Sequence, residues 1–194
     1  MTGFPRGTSP VLASVWPACV GALAVFYASV GDGAWARRSA IAWMMASWGA
    51  RLTAQALYAR GIEPPVPVST SWVTLVISAL FFSLPALVAT RNLDPSLSSV
   101  EIAASVLWMV AFAGETTADR QRIRFVAKPD HAGLVCRSGI WRVLPHAHAV
   151  CEALIWTAFA LFAFASPWGW IAFACPVTMM YVQLRLIRIS PRTT

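Results

Sequence analysis

The chain has 194 residues, of which 58% are hydrophobic and only 12% are charged. An average soluble domain has roughly twice that fraction of charged residues, so the composition excludes an ordinary soluble protein. The formal net charge is +7, but the apolar stretches leave no soluble basic domain to carry it. The sequence therefore predicts an integral membrane protein and argues against nucleic acid as a partner.

Apolar stretches of about 20 residues, long enough to cross a bilayer as a helix, recur along the chain. They predict six spans, at about 11–30, 39–58, 69–90, 97–114, 150–165 and 168–186. Pro85 and Pro176 lie inside spans and are expected to kink them. The fourth span is expected to continue helically through the basic run that follows it, and the last two spans to form a hairpin around Ser166 and Pro167. The predicted fold is all-α: one polytopic membrane domain, residues 1–194, with about six transmembrane helices.

The distribution of charge predicts the topology. With six spans, both termini, the second-to-third connection and the fourth-to-fifth connection lie on one side of the membrane. That side carries eleven of the 15 basic residues; the opposite side carries Arg37, Arg38 and Arg91, and Arg51 lies within a span. The positive-inside rule assigns the richer side to the cytoplasm. We therefore expect both termini to be cytoplasmic.

The second span carries the most polar stripe of any span. Its members, at the spacing of one helix face, are Trp48, Arg51, Gln55 and Tyr58. The stripe fits either a buried polar brace between helices or the wall of a polar cavity. An unpaired arginine at that depth costs several kcal/mol, so we expect Arg51 within reach of Glu115, Asp119 or Glu152.

The segment from Gly114 to Glu152 holds most of the residues that point to chemistry. Glu115, Asp119 and Arg122 fall on one face of the continued fourth helix. They fit either an interfacial salt-bridge ladder or the lining of a polar cavity. Two like charges four positions apart destabilise a helix unless a cationic group lies between them, which favours the cavity. The sequence predicts that Arg51 or the donors of a ligand supply that group.

Basic residues follow on the same helix, namely Arg120, Arg122, Arg124 and Lys128. Such a cluster suits the phosphates of a nucleotide or an anionic lipid head group. It is equally typical of the positive flank of a membrane span.

Two histidines and a glutamate lie at the start of the fifth span, as His146, His148 and Glu152. Three such ligands can hold zinc or iron. However, the chain has no H-E-x-x-H motif and no second histidine pair, so hydrogen bonding at the mouth of a cofactor site is the favoured interpretation and no metal is predicted.

Four sequence patterns occur in order along the chain. W-G-x-R-L appears as Trp48, Gly49, Arg51 and Leu52, and E-x-x-A-D-x-Q-x-x-x-F appears as Glu115, Ala118, Asp119, Gln121 and Phe125. A glycine-cysteine and glycine-tryptophan element appears as Gly133, Cys136, Gly139 and Trp141, and PHAHAVCE ends at Glu152. These patterns resemble the C-terminal domain of the membrane steroid 5-alpha-reductase family, including its bacterial members. The resemblance covers roughly residues 45–188, and residues 1–44 match poorly.

The resemblance implies a helical bundle that binds NADPH from the cytoplasmic side of a bacterial cytoplasmic membrane. It implies the reduction of a carbon–carbon double bond conjugated to a carbonyl group, in a sterol or a similar lipid. The residues predicted to bind the cofactor are Arg51, Glu115, Asp119, Gln121, His146, His148, Glu152 and Arg185. The catalytic residues are not assigned, because the family's substrate-polarising residues have no match here.

The PHAHAVCE segment departs from the family signature R-H-P-N-Y-F-G-E. His146 and Glu152 are kept, whereas His148 replaces the asparagine that hydrogen-bonds the cofactor and Ala149 replaces the tyrosine. Two functions therefore stay open. One is an NADPH-dependent reductase acting on a hydrophobic small molecule; the other is a non-catalytic membrane subunit that holds a lipid, a pigment or other membrane subunits.

Overall fold

The structure is a computed structural model that describes residues 10–59, 71–131, 134 and 136–189. Every regular element in these ranges is helical, so the predicted all-α class is confirmed. The chain divides into two compact units, Met1–Pro95 and Ser96–Thr194; the single domain stays a prediction. Outside the described residues lie Gly133 of the third pattern and three arginines used for the topology, Arg6, Arg60 and Arg192.

The first unit is built on a pair of long helices. Its elements are α1 (Pro10–Val30), α2 (Trp35–Ala59), α3 (Trp72–Phe82) and α4 (Leu84–Ala89). Glycine allows α1 and α2 to approach closely, because a Cβ atom added at Gly49 would lie 2.4 Å from the carbonyl oxygen of Pro17. Such small residues at helix contacts are typical of membrane helices.

The third predicted span is divided at Ser83, between α3 and α4. Pro85 lies in the first turn of α4, where a missing N–H group costs little. The backbone N–H of Ser83 donates to the carbonyl oxygen of Ala79 at 3.0 Å and closes α3. The expected effect of Pro85 therefore takes the form of a break two residues earlier.

Helix α2 begins at Trp35, four residues before the predicted start at Ser39. The side chain of Arg37 is buried, and its Nη1 donates to the carbonyl oxygens of Asn92 and Asp94. The neighbouring Arg38 donates from Nη1 to the carbonyl oxygen of Ala28 at 2.9 Å. The two arginines thus donate to carbonyl groups in the last turn of α1 and in the segment after α4, where the backbone offers no intrahelical donor.

The second unit is built around the pair α5 and α7. Its elements are α5 (Ser99–Val126), a 3₁₀ turn η1 (Pro129–His131), α6 (Ile140–Val143), α7 (Ala147–Phe164), a 3₁₀ turn η2 (Gly169–Phe173) and α8 (Ala174–Ile189). A capping box starts α5: the N–H of Ser98 donates to Oε2 of Glu101 at 2.7 Å, and the N–H of Glu101 donates to Oγ of Ser98 at 3.3 Å. The predicted continuation of this helix through the basic run is confirmed.

The last two predicted spans are joined by a turn that begins at Ala165. There Trp168 adopts a left-handed backbone conformation with a φ of 62°. Pro176 lies in the first turn of α8, directly after η2. The expected kink inside a continuous helix is wrong, because the α-helix starts at Ala174 and the proline occupies a position whose N–H has no intrahelical acceptor.

Three helical segments among the described residues are long and apolar enough to cross a membrane: Trp72–Ala89, Ser99–Val126 and Ala147–Phe164. A shorter apolar stretch, Val15–Val30, lies within α1. These segments indicate a membrane protein. The number of six spans and the cytoplasmic termini stay predictions.

Candidate functional site

Helices α5 and α7 pack closely in the second unit. A Cβ atom added at Gly114 of α5 would lie 3.1 Å from the Sγ atom of Cys151 on α7, so glycine keeps this contact short. One residue later, the side chain of Glu115 is fully buried, and Asp119, one turn further, is 5% exposed. The stripe predicted from their spacing therefore lies on the buried side of α5.

An imidazole from α7 lies beside these two carboxylates. The Nδ1 atom of His148 is 3.0 Å from Oδ1 of Asp119 and 3.4 Å from Oε1 of Glu115. One turn further along α7, Glu152 is buried, and Nε1 of Trp156 donates a hydrogen bond to its Oε1 at 2.8 Å. We call Glu115, Asp119, His148 and Glu152 the carboxylate–imidazole cluster.

Burial makes this cluster chemically unusual, because ionised carboxylates away from water need hydrogen-bond donors or positive charge. The sequence predicted Arg51 or a ligand as the group between Glu115 and Asp119. The structure brings His148 to that place, which the spacing of the residues alone did not indicate. The imidazole is also the part of the cluster nearest to solvent: its side chain is 33% exposed, whereas that of Glu115 is 0% exposed.

The segment before α7 is held on α5 by two hydrogen bonds. The side-chain Oε1 of Gln121 accepts the backbone N–H of Ile140 at 2.9 Å, and Nε1 of Trp141 donates to the carbonyl oxygen of Ala118 at 2.9 Å. Gly139 has a φ of 60°, and a Cβ atom there would lie 2.4 Å from Oε1 of Gln121. Gln121 thus lies beside the start of α6, two residues beyond Asp119 on α5.

The comparison with protein families assigns the chain. It belongs to DUF1295. This family is described as proteins of unknown function, and the match covers residues 6–192. The match therefore includes the carboxylate–imidazole cluster and also most of residues 1–44, where the motif resemblance was poor. No curated protein and no solved structure matches the chain.

In this DUF1295 protein, His146 directly precedes α7 in a left-handed conformation, with φ 61° and ψ 37°. That conformation costs a non-glycine residue about 1–2 kcal/mol. The Nδ1 atom of His146 is buried and has no hydrogen-bond partner among the described residues. Strained backbone and an unsatisfied polar atom both occur often at functional sites.

The remaining two predicted cofactor residues belong to elements other than α5 and α7. Arg185 is exposed on α8, and its Nε donates to the hydroxyl of Tyr181, one turn earlier, at 2.9 Å. Arg51 belongs to the first unit, where its Nη1 donates to Oε1 of Gln55 at 3.2 Å. Contact of Arg51 with Glu115, Asp119 or Glu152 stays a prediction.

Potential metal-ligand atoms of Glu115, His148 and Glu152 lie within 4.8 Å of one another, which is close enough to share a cation. Two of these groups already have good hydrogen-bond partners, since His148 faces Asp119 and Trp156 donates to Glu152. Hydrogen bonding accounts for these contacts without a metal, and the absence of a metal stays a prediction. The sequence analysis missed Trp156, although its position four residues after Glu152 places both on one helix face.

Proposed function

We propose that this DUF1295 protein is a membrane-bound reductase that uses NADPH to reduce a double bond conjugated to a carbonyl group in a hydrophobic lipid, such as a sterol. One observation supports this proposal above the others. Helices α5 and α7 bring together Glu115, Asp119, His148 and Glu152, which are the positions where the reductase resemblance implies cofactor contacts. A membrane location follows from the apolar helices, and we place the protein in a bacterial cytoplasmic membrane.

The chemistry of the donor set fits NADPH. Carboxylates accept hydrogen bonds from ribose hydroxyls and from the carboxamide of the nicotinamide, and the buried Nδ1 of His146 is one more polar atom for such a contact. Phosphates need positive charge instead. Arg120 and Arg124 are exposed further along α5, and Lys128 is exposed two residues after its end, so the three cations follow each other at four-residue intervals. The carboxylates of α5 and these cations are therefore separated along the chain, as a dinucleotide requires.

The reaction divides the work between cofactor and protein. NADPH, when bound, supplies a hydride to the beta carbon of the conjugated system, and a proton completes the reduction. The buried carboxylates Glu115, Asp119 and Glu152 orient polar groups by hydrogen bonds in a place from which water is largely excluded. The neighbouring apolar helix surfaces suit a substrate that reaches the site from the lipid phase.

Calorimetric titration of the purified protein in detergent tests the proposal. We expect NADPH to bind more tightly than NADH, because Arg120, Arg124 and Lys128 pair with the additional phosphate. The double variant Asp119→Asn with Glu152→Gln is expected to lose binding.

The matched control is Asp32→Asn, which neutralises an exposed carboxylate of the first unit and is expected to bind normally. Arg37 is unsuitable as a control, because it is buried and hydrogen-bonded to two carbonyl groups. A folded sample that gives no heat at millimolar NADPH would contradict the reductase.

That outcome would favour the alternative, a non-catalytic subunit that binds a lipid or pigment or holds other membrane subunits. The specific observation behind it is Ala149, at the position where the reductase family has a tyrosine. A subunit of this kind is expected to co-purify with a partner protein or an apolar ligand from its native membrane, and to leave NADPH unchanged.

A further inference from the structure

The imidazole of His148 is held through one of its two ring nitrogens. Its Nδ1 lies 3.0 Å from Oδ1 of Asp119 and 3.4 Å from Oε1 of Glu115. Ionised carboxylates only accept hydrogen bonds, so this arrangement is favourable when Nδ1 carries a proton. A carboxylate that binds Nδ1–H fixes both the tautomer and the orientation of an imidazole. The nitrogen left to exchange a proton is therefore Nε2.

His148 is also the member of the cluster that combines buried partners with access to water. Its side chain is 33% exposed, whereas the side chains of Glu115 and Asp119 are 0% and 6% exposed. An imidazole at this boundary is able to give a proton to a group inside the site and to recover one from solvent. Glu152 lies one turn further along α7 and is engaged by Trp156.

Two departures from the reductase signature, at His148 and at the next residue, indicate a role for the imidazole. The reductase signature has asparagine and tyrosine at the positions of His148 and Ala149. Asparagine donates hydrogen bonds but does not transfer protons, and alanine removes a hydroxyl that is able to do so. A histidine in the first position restores a proton-transferring side chain beside the one that is lost.

We propose that His148 is the proton donor of the reduction and that Asp119 is the residue that orients it. This inference rests on the proposed NADPH-dependent reductase function. With His148 as an imidazolium, Nε2 gives its proton to the carbonyl oxygen as the hydride adds to the beta carbon. The substrate becomes an enol, and a neutral imidazole protonated at Nδ1 remains. The enol returns to the carbonyl form by taking a proton at the alpha carbon and releasing one from oxygen. A proton from solvent then returns His148 to the imidazolium form through its exposed part.

The decisive variant is His148→Asn, which restores the family's residue in the full-length protein. We expect NADPH affinity to stay within threefold of the parent, because the side-chain amide of asparagine still donates a hydrogen bond. We expect turnover, followed as NADPH oxidation with progesterone as the enone probe, to fall about 100-fold or more, the usual contribution of a general acid. The activity of the parent is expected to decline at high pH, where the imidazole no longer carries the Nε2 proton, and the remaining activity of the variant is expected to show no such decline.

A second measurement needs neither cofactor nor activity. Nitrogen-15 NMR of the histidine side chains, with the His148 signals assigned by their loss in His148→Asn, reports which ring nitrogen carries a proton. We expect a protonated Nδ1 in the parent and a shift of this signal in Asp119→Ala. An unprotonated Nδ1 at neutral pH would overturn the proposed orientation.

The outcomes separate the two proposals. A parent protein that neither binds nor oxidises NADPH overturns the reductase function and the proton donor together. A parent that is active, beside a His148→Asn variant of equal activity, overturns only the proton donor. A variant that loses NADPH binding along with turnover also overturns it, since His148 then acts in binding. If His148→Asn is unstable, His148→Gln provides the same comparison.

Discussion

The Nδ1 atom of His148 lies 3.0 Å from a carboxylate oxygen of Asp119, although the two residues are 29 positions apart in the chain. The contact joins the first turn of α7 to the buried face of α5. The intervening segment is anchored to α5 by Gln121, which accepts the N–H of Ile140. The position of the imidazole thus depends on contacts made well before α7 begins.

The variant Gly139→Ala tests this dependence. The φ of 60° and ψ of −128° are accessible mainly to glycine, and an added Cβ would lie 2.4 Å from Oε1 of Gln121. We expect the free energy of unfolding to fall by about 1–3 kcal/mol, the usual cost of a sparsely populated backbone conformation. Thermal unfolding in detergent measures the loss. The control is Arg137→Ala at an exposed neighbouring position; equal stability of both variants would contradict the anchoring role.

Trp156 is expected to stabilise the buried Glu152. Phenylalanine at position 156 keeps most of the ring but removes the Nε1–H that donates to Oε1 of Glu152 at 2.8 Å. Leaving a buried acceptor without this donor costs about 1–3 kcal/mol. Thermal unfolding of Trp156→Phe is therefore expected to occur at a lower temperature than that of Trp170→Phe, which changes an exposed tryptophan. Equal midpoints for the two variants would contradict a stabilising role of Trp156.

The helices of this protein are largely predictable from its sequence, since the length and composition of apolar runs set them locally. The first predicted span, 11–30, corresponds to α1 at Pro10–Val30, and α5 continues through its basic run as expected. The start of α2 is different. Trp35 precedes the apolar run, and the helix extends to it where Arg37 and Arg38 find carbonyl groups of other segments. Those partners are distant in sequence, so no local pattern indicates them.

In the candidate site, too, the sequence predicts what local spacing decides and not the contacts between distant segments. The shared face of Glu115 and Asp119 follows from helical spacing alone. The approach of His148 to these carboxylates depends on how α5 and α7 pack, and only the family resemblance suggested it. The fit of Gln121 against Gly139 involves a turn for which the sequence shows no periodicity. Residue contacts between distant segments thus account for most of what the sequence analysis could not predict.

The topology is open to a direct test with reporter fusions. Six spans and the excess of basic residues on one side predict that both termini face the cytoplasm. A fluorescent protein that folds only in the cytoplasm is expected to be bright at either end, and alkaline phosphatase, active only outside it, is expected to be inactive at both. Opposite results at the two ends would mean an odd number of spans and would contradict the prediction.

Arg37 is expected to be the most sensitive arginine of the first unit. Its side chain is 1% exposed and donates to the carbonyl oxygens of Asn92 and Asp94, whereas the nearby Arg91 is exposed. In Arg37→Gln the shorter amide does not reach both carbonyls, and each hydrogen bond from a charged group is worth about 1.5–3 kcal/mol. A loss of about 2 kcal/mol or more lowers the melting temperature by about 4–8 °C in a chain of this size. Differential scanning fluorimetry in detergent measures the shift, with Arg91→Gln as the matched control. Because both variants remove one positive charge from the same region, a similar shift in both would assign the effect to charge instead of to the two carbonyl contacts.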